Sequence, residues 1–140
     1  ALSYDPEDAD SLCLMGRIYS EMLLDYEKAK LYFAEAMQCD VTNLNTPKYY
    51  IKCLLDNEDF QEAEKLINYS LKIKGIDKYA IMYNRALLSE MRGSFKNALH
   101  FLKETEKYCF NSESLESVKA RKKFIKSKMP KKSKKVKETK

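Results

Sequence analysis

A self-similar segment recurs three times along the chain at an almost constant spacing. The three copies read DYEKAKLYFAEAM, DFQEAEKLINYSL and SFKNALHFLKETE. Each has a helix-capping residue, an aromatic residue, two variable residues and then an alanine, at Ala29, Ala63 and Ala98, which lie 34 and 35 residues apart. Repeats of this length are single supersecondary units that bury their apolar faces by stacking on their neighbours. The spacing therefore predicts an array of stacked helix–turn–helix units.

Glycine and proline are too scarce for a fold that depends on many turns. Only 3 Gly and 3 Pro occur among 140 residues, of which 44% are hydrophobic. Ala, Leu, Lys, Glu and Met, which favour helix, are plentiful. All-β folds need turn-forming residues at frequent intervals. The composition therefore predicts an all-α chain, long enough to bury one domain's core.

The residues within the first repeat resemble the tetratricopeptide family. A large, a small and an aromatic residue of the first helix are followed by small, large and small residues of the second, at Leu12, Gly16, Tyr19, Ala29, Phe33 and Ala36. The resemblance covers roughly residues 1–110 and implies a right-handed α-solenoid of helix–turn–helix hairpins. Departures occur at Ile51, where a small residue is expected, and at Ser70 and Thr105, which replace a late alanine.

The repeat divides the chain into an ordered set of segments. Residues 1–8 are interpreted as the end of a preceding repeat, residues 9–128 as the array with its cap, and residues 129–140 as a disordered basic tail. Within the array the repeats span about 9–42, 43–77 and 78–111, and a C-terminal capping helix covers 112–128. The predicted helices of the three hairpins are 9–22 and 26–38, 46–57 and 60–73, and 78–92 and 95–108.

Polar residues suitable for helix caps precede several of these helices. Thr46 before Pro47, Asp59 with Glu62 three residues later, and Ser112 are expected to cap their helices through their side chains. Gly75 is expected to take a left-handed backbone conformation where a helix ends.

The family resemblance implies that first-helix side chains line a concave groove. The groove residues that mix cations, aromatic rings and an amide are Arg17, Lys48, Tyr49, Lys52, Tyr83 and Asn84. Cations pair with carboxylates, amides bond to peptide backbone and tyrosines give rigid contact area, which suits an acidic peptide or helix of another protein. The alternative is an ordinary solvated surface.

Some tetratricopeptide proteins hold the C-terminal carboxylate of heat-shock chaperones in a five-residue clamp. Lys48 and Asn84 match two of its positions, but Lys52 stands where an asparagine is expected. The remaining cations would have to come from Lys119 or Arg121. The match is too incomplete to predict a chaperone partner.

Charge is divided between the array and the C-terminus. Residues 119–140 contain twelve Lys or Arg and one acid, a net charge of +11, whereas residues 1–118 contain 14 basic and 20 acidic residues, a net charge of −6. Such a basic segment can bind nucleic acid or an anionic membrane, or it can simply be solvated. The candidate polyanion-binding residues are Lys122, Lys123, Lys131, Lys132, Lys134 and Lys135.

If Ala1 is the first residue of the protein, the first hairpin lacks the neighbour that a repeat normally packs against. Because the chain begins without Met, it is interpreted as a piece of a longer protein. The apolar face of its first helix is therefore expected to be covered by an upstream segment, a partner or a second copy, so that self-association is one expectation.

No arrangement of residues predicts catalysis. The one histidine, His100, lies between two apolar residues, and no phosphate-binding or metal-binding motif occurs. The cysteines form no CxxC pair, so they are interpreted as buried thiols, with a Cys39–Cys109 disulfide as the alternative. We expect no cofactor, no metal, no small-molecule substrate and a cytoplasmic location. A nuclear location is the alternative, because PKKSKK resembles a weak import signal.

Overall fold

The computed structural model describes the backbone of residues 6–130 and the side chains of residues 8–130. Seven α-helices follow one another with no strand within this range. They are α1 (Pro6–Arg17), α2 (Tyr26–Cys39), α3 (Thr46–Asp56), α4 (Phe60–Ser70), α5 (Lys78–Met91), α6 (Phe95–Thr105) and α7 (Ser112–Lys128). The all-α prediction is confirmed. The expected end of an earlier repeat lies mostly in residues 1–5, and most of the basic tail lies in residues 131–140, both outside the described residues.

Successive helices pack against each other along the whole array. The first three hairpins are α1 with α2, α3 with α4 and α5 with α6, and α7 packs on α6. Among the first helices, α3 contacts both α1 and α5, so the three follow one another along one side of the molecule. This sequential arrangement is that of a helical repeat.

The repeat seen in the sequence reappears in the packing of the second helices. The recurring alanines are fully buried, as are the larger residues four positions later, at Phe33, Ile67 and Leu102. The positions seven residues after each alanine are Ala36, Ser70 and Thr105, which are buried as well. Since residues at i, i+4 and i+7 share a helix face, one face of each second helix forms the hairpin interior.

The two polar substitutions at the late-alanine position behave differently. Thr105 Oγ1 donates a hydrogen bond to the carbonyl of Phe101 at 2.7 Å, the bond that a buried hydroxyl on a helix usually makes. Ser70 Oγ is buried without a hydrogen-bond partner among the described residues. The buried face of the second helix therefore accommodates a hydroxyl in place of alanine at both positions.

The first hairpin contains an irregular turn. Residues Ile18–Met22 continue α1 as a π-helical turn, in which the amide of Leu23 donates to the carbonyl of Ile18 at 3.1 Å. Leu24 follows with a positive φ of 54°. The π-helical turn and the left-handed Leu24 together lead the chain from α1 into α2.

Helix boundaries agree with the predicted ones to within three residues when the π-helical turn Ile18–Met22 is counted with α1, but three predicted caps are wrong. Thr46 lies inside α3, where it is buried, and the side chain of Asn43 accepts from its amide at 3.1 Å. Asp59 makes no side-chain cap bond. Asn111, rather than Ser112, caps α7 by accepting from the amide of Ser114 at 2.8 Å. In each case a residue one to three positions away, or a partner in another helix, competes for the cap.

Asp59 illustrates the competition. Its carboxylate accepts from Lys30 Nζ at 3.0 Å and from Asn57 Nδ2 at 2.7 Å, so it joins α2 to the start of α4. The side-chain hydrogen bonds from Asn57 and Lys30 lower the pKa of Asp59. Gly75 has φ +85°, which confirms the left-handed prediction, although it lies in the loop after α4 and not at the helix end.

Candidate functional site

The side-by-side packing of α1 and α3 brings three of the predicted groove residues together. The guanidinium carbon of Arg17 lies 4.2 Å from the centroid of the Tyr49 ring, and the ammonium nitrogen of Lys48 lies 5.4 Å from the same centroid. We call Arg17, Lys48 and Tyr49 the cation–tyrosine cluster. Two cations against one ring hold that ring in place through cation–π attraction.

The cations of the groove are paired with nearby acids in contacts that leave them accessible. Arg17 Nε lies 3.3 Å from Glu21, and Lys48 Nζ lies 3.7 Å from Asp77. Lys52, outside the cluster, lies 3.3 Å from Asp56 with its side chain 59% exposed. Exposed pairs of this kind contribute little to stability, so a ligand carboxylate can replace the internal partner at low cost.

Tyr83 and Asn84, the remaining two predicted groove residues, line a surface pocket rich in aromatic rings. A surface pocket of about 390 Å³, which we call the tyrosine pocket, is lined by Tyr79, Ala80, Tyr83, Asn84 and Ser117. The rings of Tyr79 and Tyr83 lie 5.8 Å apart, and burial raises the pKa of both phenols. The pocket therefore offers neutral hydroxyls, an amide and ring faces.

Helix α7 completes this pocket. The hydroxyl of Tyr79 donates to the carbonyl of Ser114 at 3.1 Å, and the ring of Phe110 meets Tyr79 edge-on at 5.5 Å. Phe110 is 72% exposed. Sequence reasoning missed Tyr79, Phe110 and Ser117, because their contribution depends on how α7 docks. An aromatic residue in the segment before α7 was the one signal available.

Asp77 has contacts near both sets of predicted groove residues, the cation–tyrosine cluster and the tyrosine pocket. Asp77, the partner of Lys48, accepts from the amide of Ala80 at 3.1 Å and so caps α5. Ala80 itself lines the tyrosine pocket. The six predicted residues therefore fall into the cluster, the adjacent Lys52 and the pocket, along the side formed by α1, α3 and α5.

The basic residues of α7 divide into paired and exposed groups. Lys122 lies 2.9 Å from Glu106, and Arg121 and Lys128 both bond to Glu90. Lys123 is exposed, and the other four predicted polyanion-binding residues, Lys131, Lys132, Lys134 and Lys135, lie outside the described residues. Part of the C-terminal positive charge thus fastens α7 to the array.

Residues that often carry chemistry occupy ordinary structural positions. His100 is exposed, with its ring 5.6 Å from that of Phe101. All four cysteines are free, and burial raises the pKa of the Cys13 and Cys53 thiols. Within the described part of the chain, no group of three or more His, Cys, Asp or Glu side chains is placed to hold a metal ion.

The first hairpin exposes several large apolar side chains. These are Leu14, Met22, Leu23, Leu24 and Leu31, each more than half exposed. They lie on the hairpin that the sequence predicts to need covering, and the described residues leave them exposed. The prediction of an upstream segment, a partner or a second copy here stays a prediction.

Comparisons with protein families and with curated proteins find no relative of this chain. The sequence matches no protein-family model, and no curated protein is detectably similar to it. The helical-repeat description therefore stands on the sequence period and the packing. None of the helices between residues 6 and 130 is long and apolar enough to cross a lipid bilayer.

Proposed function

We propose that this chain is a non-catalytic interaction module of the tetratricopeptide type, a right-handed α-solenoid that binds an acidic segment of another protein. The segment lies along α1, α3 and α5, and no cofactor takes part. The observation that carries the proposal is the cation–tyrosine cluster, in which Arg17 and Lys48 from two different helices meet on the ring of Tyr49.

The chemistry of the groove supports an acidic and partly aromatic or apolar ligand. Arg17, Lys48 and Lys52 supply cations whose internal acids are exchangeable. The tyrosine pocket supplies ring surface together with the amide of Asn84, which has no hydrogen bond to another described residue. Pre-positioned rings and a free amide suit an extended peptide, because they add contact area and backbone bonds with little loss of side-chain entropy.

Reversing the charge of two groove lysines tests this proposal. We expect Lys48→Glu combined with Lys52→Glu to weaken the complex with the native partner by more than about 1 kcal/mol, because attraction to partner carboxylates becomes repulsion. The partner is first captured from source-cell lysate with the full chain, and its affinity for each variant is then measured by calorimetry.

A control with the same change of net charge, placed away from the groove, distinguishes the loss of a binding site from a general effect of charge. Lys96→Glu combined with Lys103→Glu changes two exposed lysines of α6, the same change of net charge, and should leave the affinity unchanged. Circular dichroism of the double variant checks that the array still folds. Equal affinities for the double variant and the wild-type chain would move the binding site away from α1, α3 and α5.

A second candidate function is association with a polyanion through the C-terminal segment. Lys119, Lys123 and Lys126 are exposed, recur at i, i+4 and i+7, and stand outside the ion pairs of α7 with Glu90 and Glu106. They form one basic stripe on that helix. In the sequence, six more lysines follow this helix, at 131, 132, 134, 135, 137 and 140.

Salt dependence and deletion test the second function. We expect duplex DNA or anionic vesicles to bind the full chain at low salt and to lose about tenfold or more in affinity at physiological salt. Deleting residues 129–140 should abolish most of that binding, as measured by fluorescence anisotropy. Binding that persists unchanged after the deletion would remove this candidate.

A further inference from the structure

A separate polar crevice of about 190 Å³ lies between the second helices α4 and α6, with one face of α5 also lining it. Its polar lining contains one carboxylate, Glu64, and six side chains that can donate hydrogen bonds. The six donor side chains are Arg85, Arg92, Asn68, Asn97, Ser89 and Ser94. None of the groove residues lines this crevice. A concentration of donors in a recess is the composition of a site for an anion.

The crevice faces a different side of α5 from the groove. Arg85, Ser89 and Arg92 recur at i, i+4 and i+7, so their side chains share one face of the helix. Asn84 of the tyrosine pocket directly precedes Arg85, and consecutive side chains are about 100° apart around a helix. A ligand in the crevice therefore leaves the groove accessible.

Arg85 is a half-buried cation whose donors are open. Its guanidinium carbon lies 4.3 Å from the centroid of the Phe101 ring, and it has no ion pair or hydrogen bond with any other residue that the structure describes. Stacking on an aromatic face fixes the plane of a guanidinium while leaving the N–H groups at its edge available. Arg85 is thus oriented but unneutralised.

The second arginine is already neutralised. Arg92 Nη1 lies 3.0 Å from Glu64 Oε1, and both residues line the crevice. The three charged groups, Arg85, Arg92 and Glu64, sum to one positive charge. The N-terminus of α6 adds to the positive potential, because the helix dipole is positive at that end. The side chain of Ser94 at the N-cap makes no cap bond to the first amides of the helix.

We propose that this crevice binds one carboxylate group, either the acidic side chain of a partner protein or a small carboxylic acid. Arg85 pairs with the carboxylate, and the amides of Asn68 and Asn97 and the hydroxyls of Ser89 and Ser94 supply further donors. A single negative charge neutralises the crevice. A phosphate dianion would leave it with an excess negative charge in a partly buried place.

Direct titration of the full chain tests the assignment. The probes are propionate, a blocked Ala-Glu-Ala tripeptide, its Ala-Gln-Ala counterpart and inorganic phosphate, all at one ionic strength. Two-dimensional NMR of the arginine Nε–Hε groups should show saturable shifts for Arg85 with the two carboxylates and none with the Gln peptide.

Two variants of Arg85 locate the binding. We expect Arg85→Gln to raise the dissociation constant for the tripeptide by about tenfold or more, and Arg85→Lys to raise it less, because lysine keeps the charge but loses the planar fork. The control Lys103→Gln, an exposed cation of α6 outside the crevice, should leave that constant unchanged.

The outcomes distinguish the two sources of the carboxylate and include results that would contradict the proposal. Tighter binding of the tripeptide than of propionate assigns the site to an acidic protein segment, and equal binding assigns it to a small acid. Shifts that do not saturate, equal affinity of Arg85→Gln, or tighter binding of phosphate would overturn the proposal. Because the groove is not involved, loss of partner binding in Lys48→Glu with Lys52→Glu leaves this result untouched.

Discussion

Replacing Gly16 with leucine is expected to destabilise the protein by about 3 kcal/mol. A Cβ at this position would lie 2.7 Å from both Cδ1 and Cε1 of Phe33, closer than side chains pack. Phe33 is fully buried and stacks on Tyr50 with the ring centroids 5.5 Å apart, so its ring has no free space to enter. The free energy of unfolding, from urea denaturation, measures the effect.

Two further variants separate the contact from helix propensity. Gly16→Ala should be destabilising by less, because the clash is offset in part by the gain of about 1 kcal/mol from replacing glycine in a helix. In a Phe33→Leu background the smaller side chain relieves the contact, and the cost of Gly16→Ala should fall. A Gly16→Leu chain with wild-type stability would show that α1 and α2 can separate without penalty.

Replacing Glu90 with glutamine is expected to cost about 2–3 kcal/mol and to loosen α7. The Glu90 side chain is 2% exposed and takes a bidentate pair of bonds from Arg121, at 2.8 and 2.9 Å, and a further bond from Lys128. Breaking a buried ion pair leaves unpaired charge, although two cations that are each 37% exposed reduce the penalty. Urea denaturation and hydrogen exchange of the α7 amides measure both effects.

The cations that bind Glu90 also hold an aromatic residue of α7. The guanidinium carbon of Arg121 lies 4.9 Å from the Phe124 ring centroid, and the ammonium of Lys128 lies 4.8 Å from it.

Glu104→Gln is the matched control for Glu90→Gln. The Glu104–Lys107 pair is exposed, so this substitution should change the free energy of unfolding by less than about 0.5 kcal/mol. An equal cost for both variants would contradict a special role for Glu90.

The pH dependence of stability follows from the same carboxylate. Burial alone would raise the pKa of Glu90, but the hydrogen bonds from Arg121 and Lys128 outweigh it and hold the pKa below its ordinary value of 4.5. The ion pairs therefore contribute fully above that value, and their contribution is lost as the pH falls through the folded-state pKa. The stability difference between wild-type and Glu90→Gln chains should shrink at acid pH.

Docking of α7 links this network to the groove. The carbonyl of Ser114, which accepts from Tyr79, and the side chain of Ser117 both come from α7 and help to form the tyrosine pocket. A chain in which α7 is loosened should therefore lose peptide affinity as well as stability. The cation–tyrosine cluster, built on α1 and α3, should be unaffected.

The sequence by itself determined the helices and the interior of each hairpin. The alanines and the large residues four positions later are buried together because the 3.6-residue period of the α-helix sets which side chains share a face. Gly16 could be identified as a close-approach position from its place in the repeat. The proposed membership of the groove came from the resemblance to the tetratricopeptide family, and it stays a prediction.

Only the tertiary structure decided the pairings between helices. Glu90 with Arg121, Asp59 with Lys30, and Arg85 on Phe101 each join residues whose contact depends on how one helix is placed against the next. The predicted cap at Asp59 failed for that reason, since its carboxylate bonds to a lysine 29 residues away in place of its own helix. The caps predicted at Thr46 and Ser112 failed for a local reason, because a neighbouring asparagine accepts the amide hydrogen bond. Local backbone geometry fixes spacing within a helix, whereas the angle and offset between helices come from the packing of the whole array.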